Sequence, residues 1–228
     1  MIAIIAPMRQ EIAPVVNVLT GSEKIKSGSF YFIKGKLLKH DIITQQTGVG
    51  KVLTSSSVQH LIDVFKPEAV IMIGIAGSIN TDLKKGDTII AEDCIQHDMD
   101  STAFGFLRGE IPYTNYRIIS SDKRLVETAS SCKTISLQKG RVLTGDQFIN
   151  DCDSDKLNYL RENLKGDLVD MEGAAAALVS MINEVPFLLI RTVSDNADGG
   201  GGKGFKNLLK ISGDKHVTLI KHILENYS

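Results

Sequence analysis

The chain has 228 residues, 23% of them charged, and a net charge of -1. That length is enough for one large domain with a well-buried core. The balanced charge supplies no field that would draw the molecule to nucleic acid or to a membrane surface.

Residues 2–6 are wholly apolar and predict a first strand, stopped by Pro7, with Met8-Arg9-Gln10-Glu11 at its carboxyl end. A helix is expected over 12–19, with Pro14 tolerable only in its first turn. Residues 29–36 and 41–47 read as a strand pair. Lys24, Lys26, Lys34, Lys36 and Lys39, mixed with apolar residues, suggest a solvated strand edge. Thr47-Gly48-Val49-Gly50-Lys51 then turns into a helix over 52–65, and Pro67 introduces a buried strand at 69–73. Gly74-Ile75-Ala76-Gly77-Ser78 follows. It could be a simple tight turn, but small residues such as Ala76 and Gly77 would also let a ligand approach the backbone closely.

A further strand is expected at 88–91. Residues 97–117 form a loop of a length that usually serves function or a partner. A helix over 121–132 leads to a strand at 140–144, then to Gly145-Asp146-Gln147-Phe148-Ile149-Asn150 and a helix over 153–164. Residues 168–198 read as the organising unit: a short strand (167–170), a helix (172–183) whose alanine run has high helix propensity, and a buried strand (187–193). A polar loop, 194–198, comes next, then the lid-like glycine run 199–204 and a last helix from Phe205 or Lys206, apolar at 208, 209, 217, 220 and 224. Alternating strands and helices without a linker argue for one α/β domain over 1–228 with a largely parallel core. In such sheets, ligands bind at the carboxyl ends of strands. Glu172 and Asp195 bracket one βαβ unit there; each alone has a local explanation, at a helix start or in a turn, but the pair points to a site.

Three cysteines and five histidines show neither a disulfide framework nor metal-ligand spacing, so no metal and no cofactor is expected. No apolar run is long enough to span a membrane, and MIAIIAPM lacks the basic start of a signal peptide, which predicts a cytoplasmic protein. Gly50-Lys51 and Gly202-Lys203 fail the P-loop pattern at Gln45, Val52 and Gly204. There is neither a dinucleotide fingerprint after the first strand nor a nucleophile elbow.

Gly74-Ile75-Ala76-Gly77, Gly145-Asp146-Gln147-Phe148, Val169-Asp170-Met171-Glu172-Gly173 and Arg191-Thr192-Val193-Ser194-Asp195 occur in order behind Met8-Arg9-Gln10-Glu11. In this the sequence resembles the bacterial 5′-methylthioadenosine/S-adenosylhomocysteine nucleosidases of the nucleoside phosphorylase superfamily. The resemblance implies a three-layer α/β/α fold around a mixed, partly barrel-like sheet. It also implies a homodimer, and hydrolysis of an N-glycosidic bond to adenine and a 5-substituted ribose. Implied substrates are methylthioadenosine, adenosylhomocysteine, 5′-deoxyadenosine or aminodeoxyfutalosine.

By the same resemblance Asp195 is the acid that protonates adenine N7, Glu11 the base that holds the attacking water, and Arg191 helps position that water. Glu172 would accept from the ribose 2′- and 3′-hydroxyls, and Met171 would lie under the ribose. Phe148 would stack on adenine and the backbone of Ile149 would read its edge. Met8, Val49 and Phe205 would form the thioether slot, with Phe104 and Pro112 reaching in from a partner subunit. Two departures stand out: Ile75 where relatives often carry a serine, and Met8-Arg9-Gln10 in place of an acidic run before Glu11. The alternatives are a purine nucleoside phosphorylase of the same fold, which needs arginines for phosphate, and a non-catalytic nucleoside-binding module.

Overall fold

The computed structural model describes residues 1–149, 158–195 and 205–227, with main chain only at Asp195, Phe205 and Lys206. Strand β1 (Ile2–Ala6) is buried along its whole length, as its unbroken apolar run demands. Helix α1 (Arg9–Asn17) begins three residues before the expected start. Glu11 is the cause: its carboxylate accepts the Met8 N–H at 2.9 Å and closes the first turn early. Pro14 therefore sits inside the helix, not in its first turn.

Strand β2 (Thr20–Ser27) was not expected from its exposed, polar sequence. It exists because β3 (Phe30–Leu37) offers it an antiparallel ladder, β3 in turn pairing with β4 (His40–Gln46). Lys24 and Lys26 lie on this outermost strand, the solvated edge that the lysines suggested. Helix α2 (Lys51–Phe65) follows. Strand β5 (Ala69–Ser78) runs straight through the segment read as a possible turn, because β10 (Phe187–Asp195) pairs with it as far as Gly77 and β9 (Leu168–Asp170) takes Gly77 and Ser78.

Strand β6 (Thr88–Gln96) is longer than expected, and β7 (Ile119–Ser120) adds a short rung to it. Between them, residues 97–118 are loop apart from a single 3₁₀ turn at Thr102–Phe104. Helix α3 (Lys123–Ser130) is capped by Asp122, which accepts the Leu125 N–H at 2.8 Å. Then come β8 (Leu137–Thr144), α4 (Asn158–Glu162), α5 (Gly173–Ile182) and α6 (Phe205–Asn226). Residues 153–157 of the expected fourth helix and the glycine run 199–204 lie outside the described residues. Ser194 and Asp195, read as loop, belong to β10.

The strand order is β10-β6-β8-β9-β5-β1-β4-β3-β2, and an added β10–β5 pairing closes five strands into a mixed barrel. Helices cover both faces. Val58, Leu61 and Ala176, from α2 and α5, fill one core, and Ile12, Val15, Leu125 and Ile220, from α1, α3 and α6, fill the other. Among the described residues no helix is long and apolar enough to cross a membrane.

Pro14 is tolerated because α6 gives way to it. A side-chain carbon on Gly213 would lie 2.5 Å from Pro14 Cγ. Gly213→Ala is expected to lower stability by about 1–3 kcal/mol through overpacking, despite alanine's better helix propensity. Urea unfolding would measure it.

Candidate active site

The ends of β1, β4, β5, β8, β9 and β10 converge on a cavity of about 240 Å³. It is lined by Met8 and Glu11, Val49, Ile75 to Gly77, Gln147 to Ile149, Val169 to Glu172 and Ser194, with Pro7. Thus Met8, Glu11, Val49, Ala76, Gly77, Phe148, Ile149, Met171 and Glu172, distant in sequence, share one space.

Behind that lining lies a buried charge. Arg191, in the middle of β10, is wholly inaccessible. Its Nε donates to Asp170 Oδ2 at 2.9 Å, and Nη2 forms ion pairs with Asp170 Oδ2 at 2.8 Å and Glu172 Oε2 at 3.5 Å. Burial disfavours its charge, but Asp170, Glu172 and Glu11 together raise its pKa. The Nη1 side presses on Gly74, where a side-chain carbon would collide with the guanidinium and come within 2.8 Å of Glu11 Oε1. Only glycine leaves room for both groups.

Asp170, part of the Val169-Asp170-Met171-Glu172-Gly173 motif and the last residue of β9, organises the site. Its Oδ1 accepts the Thr144 hydroxyl at 2.6 Å and the Gly173 N–H at 3.1 Å. Thr144 Oγ1 in turn accepts the Ala174 N–H at 2.8 Å. The start of α5 is thereby pinned to β8 and β9, and Glu172 stands at its N-cap position.

Besides Asp170, two carboxylates line the cavity, and each is held by backbone donors. Glu11 accepts Met8 N–H at Oε2 and Ile75 N–H at Oε1, both at 2.9 Å. Burial raises its pKa, and the Arg191 charge opposes the rise. Glu172 Oε1 accepts Gly50 N–H at 2.9 Å. Burial pushes its pKa up to about 7, again against Arg191 and with Asp170 adding to the rise. Ile75, standing where a serine was anticipated, contributes its main chain to Glu11 and its side chain to the wall.

Phe148 is 75% exposed at the cavity mouth, while Ile149 beside it is buried. Asp195 ends β10 in register with Gly77, a cavity residue, and Phe205 begins α6; the side chains of both lie outside the described residues. Phe104, 84% exposed, and Pro112 do not line the cavity of their own chain. Sequence reasoning gave no site role to Thr144, Gln147 or Ser194, and it placed Asp170 among the acids at strand ends without foreseeing its partner Arg191. A lone arginine inside the apolar run 187–193 was the available signal for Asp170, since a buried guanidinium requires a counter-ion. Among the described residues no group of three or more His, Cys, Asp or Glu is arranged to hold a metal.

Fold and cavity together define an α/β enzyme that handles a small molecule between buried carboxylates. The family model described as "Phosphorylase superfamily" matches residues 1–226, and the chain belongs to that superfamily. It is 32% identical over 227 residues to the 5′-methylthioadenosine/S-adenosylhomocysteine nucleosidase of Staphylococcus haemolyticus, covering 99% of both chains. It is 36% identical over 202 residues to the aminodeoxyfutalosine nucleosidase of Campylobacter jejuni, covering 86% of each. Among solved structures, the methylthioadenosine/adenosylhomocysteine nucleosidase of Neisseria meningitidis in complex with methylthio-immucillin-A superposes with a TM-score of 0.90 at 29% identity, covering 98% of both chains.

The raised Glu172 pKa has a consequence for stability. A carboxyl that holds its proton more tightly when folded stabilises the fold below its unfolded pKa of 4.5 and loses that contribution as pH rises towards about 7. Glu172→Gln should therefore flatten the fall in thermal midpoint between those two pH values. An unchanged slope would mean that Glu172 titrates normally in the folded chain.

Proposed function

We propose that this chain hydrolyses the N-glycosidic bond of 5′-substituted adenosines, 5′-methylthioadenosine and S-adenosylhomocysteine first among them, releasing adenine and the substituted ribose. The observation that carries this reading is the pair of buried carboxylates, Glu11 and Glu172, facing one cavity with Arg191 charged behind them. Breaking such a bond builds positive charge on the ribose and negative charge on the base. Paired carboxylates serve the first need, and an acid must serve the second.

In this reading Glu11 takes a proton from the attacking water as its oxygen bonds to the anomeric carbon. The two backbone N–H groups on Glu11 fix its direction, and burial lifts its basicity above that of an exposed carboxylate. Glu172 accepts from the 2′- and 3′-hydroxyls and supports the developing cation. Arg191 orients the water and tempers the two acids. Asp195 delivers a proton to adenine N7, and the bonding electrons leave with the base. Phe148 supplies the stacking face, the Ile149 backbone reads the adenine edge, and Met171 lies beneath the sugar. Met8, Val49 and Phe205 enclose the 5′-substituent beside Ala76 and Gly77. No Lys or Arg lines the cavity among the described residues, and Arg9 is exposed, which favours water over phosphate as the nucleophile.

We read residues 1–228 as one nucleosidase domain working in the cytoplasm. The family match over 1–226 and the free thiols of Cys94 and Cys132 support that reading. The working unit is a homodimer in which Phe104 and Pro112 of one copy complete the thioether slot of the other. Phe104, Leu107 and Tyr113 are exposed at 84, 59 and 94%, apolar surface that an isolated chain would leave in water.

Incubation with methylthioadenosine, with and without phosphate, tests the reaction. Adenine and free methylthioribose should form equally in both, whereas a sugar 1-phosphate appearing only with phosphate would make the chain a phosphorylase. Asp195→Asn and Glu11→Gln should each lower turnover by about 10²- to 10⁴-fold, the usual worth of general acid or base catalysis. Substrate affinity should change much less; normal turnover in Asp195→Asn would remove the acid assignment.

Phe104→Asp should shift the protein towards monomer in analytical ultracentrifugation. The same variant should raise the Michaelis constant for thioether substrates. A fully active monomer at assay concentration would overturn the dimer reading.

A further inference from the structure

Three charged residues that do not line the cavity tie its two halves together. Lys51, the first residue of α2, donates its backbone N–H to Asp146 Oδ1 at 2.8 Å and its ammonium to Asp98 Oδ1 at 2.7 Å. Asp98, two residues beyond β6, accepts the Asp146 N–H at Oδ2, at 2.9 Å. The side chains of Lys51 and Asp98 are each only 18% exposed, so this pair is less screened than an open surface ion pair. Burial raises the Asp98 pKa, but Lys51 and the Asp146 N–H outweigh it and hold the carboxyl below its usual range.

Each end of this bracket is joined to a cavity residue. On one side Gly50, adjacent to Lys51, donates its N–H to Glu172, and Val49 forms part of the wall. On the other, Asp146 leads directly into Gln147 and Phe148. The turn that holds Glu172 and the loop that carries Phe148 therefore meet outside the cavity twice, directly through the Asp146 carboxylate and by way of the Asp98 carboxylate, which grips both segments.

We propose that Asp98 is a positioning residue that couples the two halves of the pocket: by holding Lys51 with one oxygen and the Asp146 N–H with the other, it orders the adenine-side loop and the Glu172 donor together. The inference rests on the nucleosidase reading for the identity of the two halves. A ligand that settles one half then lessens the ordering cost of the other, although Asp98 touches neither ligand.

Purified full-length chain with Asp98→Ala, Asp98→Asn, Lys51→Met and Asp98→Ala/Lys51→Met tests this. Asp98→Ala should raise the Michaelis constant for methylthioadenosine about tenfold, with the turnover number changed by less than about threefold, since the lost interactions order bound substrate and not the transition state. Calorimetric binding of adenine alone and of methylthioribose alone should weaken together in this variant. Asp98→Asn, which can still accept the Asp146 N–H, should fall between Asp98→Ala and wild type. The double variant should be no worse than the poorer single one, as expected of groups acting as a unit.

Weakening of adenine binding with methylthioribose binding unchanged would overturn the coupling and leave Asp98 a local support of one loop. So would losses that multiply in the double variant, or unchanged kinetics in every variant. A wild-type chain that binds adenine but releases none from nucleosides would fail the hydrolase reading instead, and the two binding measurements would still decide the coupling.

Discussion

The site depends on one buried guanidinium. Arg191 occupies the interior of β10 with no exposed surface, among strands whose buried residues are mostly apolar. A charge in such surroundings is tolerable only when it is paired and hydrogen-bonded, and removing one partner from a buried pair costs several times what a surface pair is worth. The fold meets that demand from three directions, with Asp170 at the end of β9, Glu172 at the head of α5 and Glu11 in the first turn of α1. Gly74 leaves space for the arginine and for Glu11 at once. The charge thus dictates where three separate elements must end or begin.

This arrangement divides work between strength and availability. Asp170 is consumed by Arg191, Thr144 and the start of α5, so it is structural in its contacts although it borders the cavity. Glu11 and Glu172 feel Arg191 at longer range and are fastened by backbone N–H groups, so both stay at the cavity wall. Desolvation makes them more basic than ordinary carboxylates, and the arginine limits how far that goes. The opposing influences leave Glu172 with a pKa of about 7 and Glu11 with one raised above its ordinary value.

Much of the fold was legible in the sequence because burial on both faces writes continuous apolar runs, as in β1, the start of β5 and β10. The misses have physical causes. Strand β2 has no apolar signal of its own and is held by pairing with β3. Helix α1 starts early because Glu11 closes its first turn, a role hidden behind a methionine at the capping position. The glycine-rich end of β5 looks like a turn locally and is kept extended by neighbours on both sides. In the site, acids at strand ends could be picked out from their positions alone. Their grouping around Arg191, and the use of Asp170 to hold it, depend on strands far apart in sequence coming into register.

Barrel closure also limits where a further strand could add to the sheet. Folding β10 back onto β5 removes one free margin of the sheet and leaves β2 at the other end. That margin carries Lys24 and Lys26, whose ammonium groups lie 4.2 and 5.7 Å from the centre of the Tyr31 ring. A second molecule adding a strand there would bring like charges together, a common protection against edge-to-edge growth. The one open margin of the sheet is thus guarded by charge against the strand-by-strand addition through which exposed edges grow into fibres.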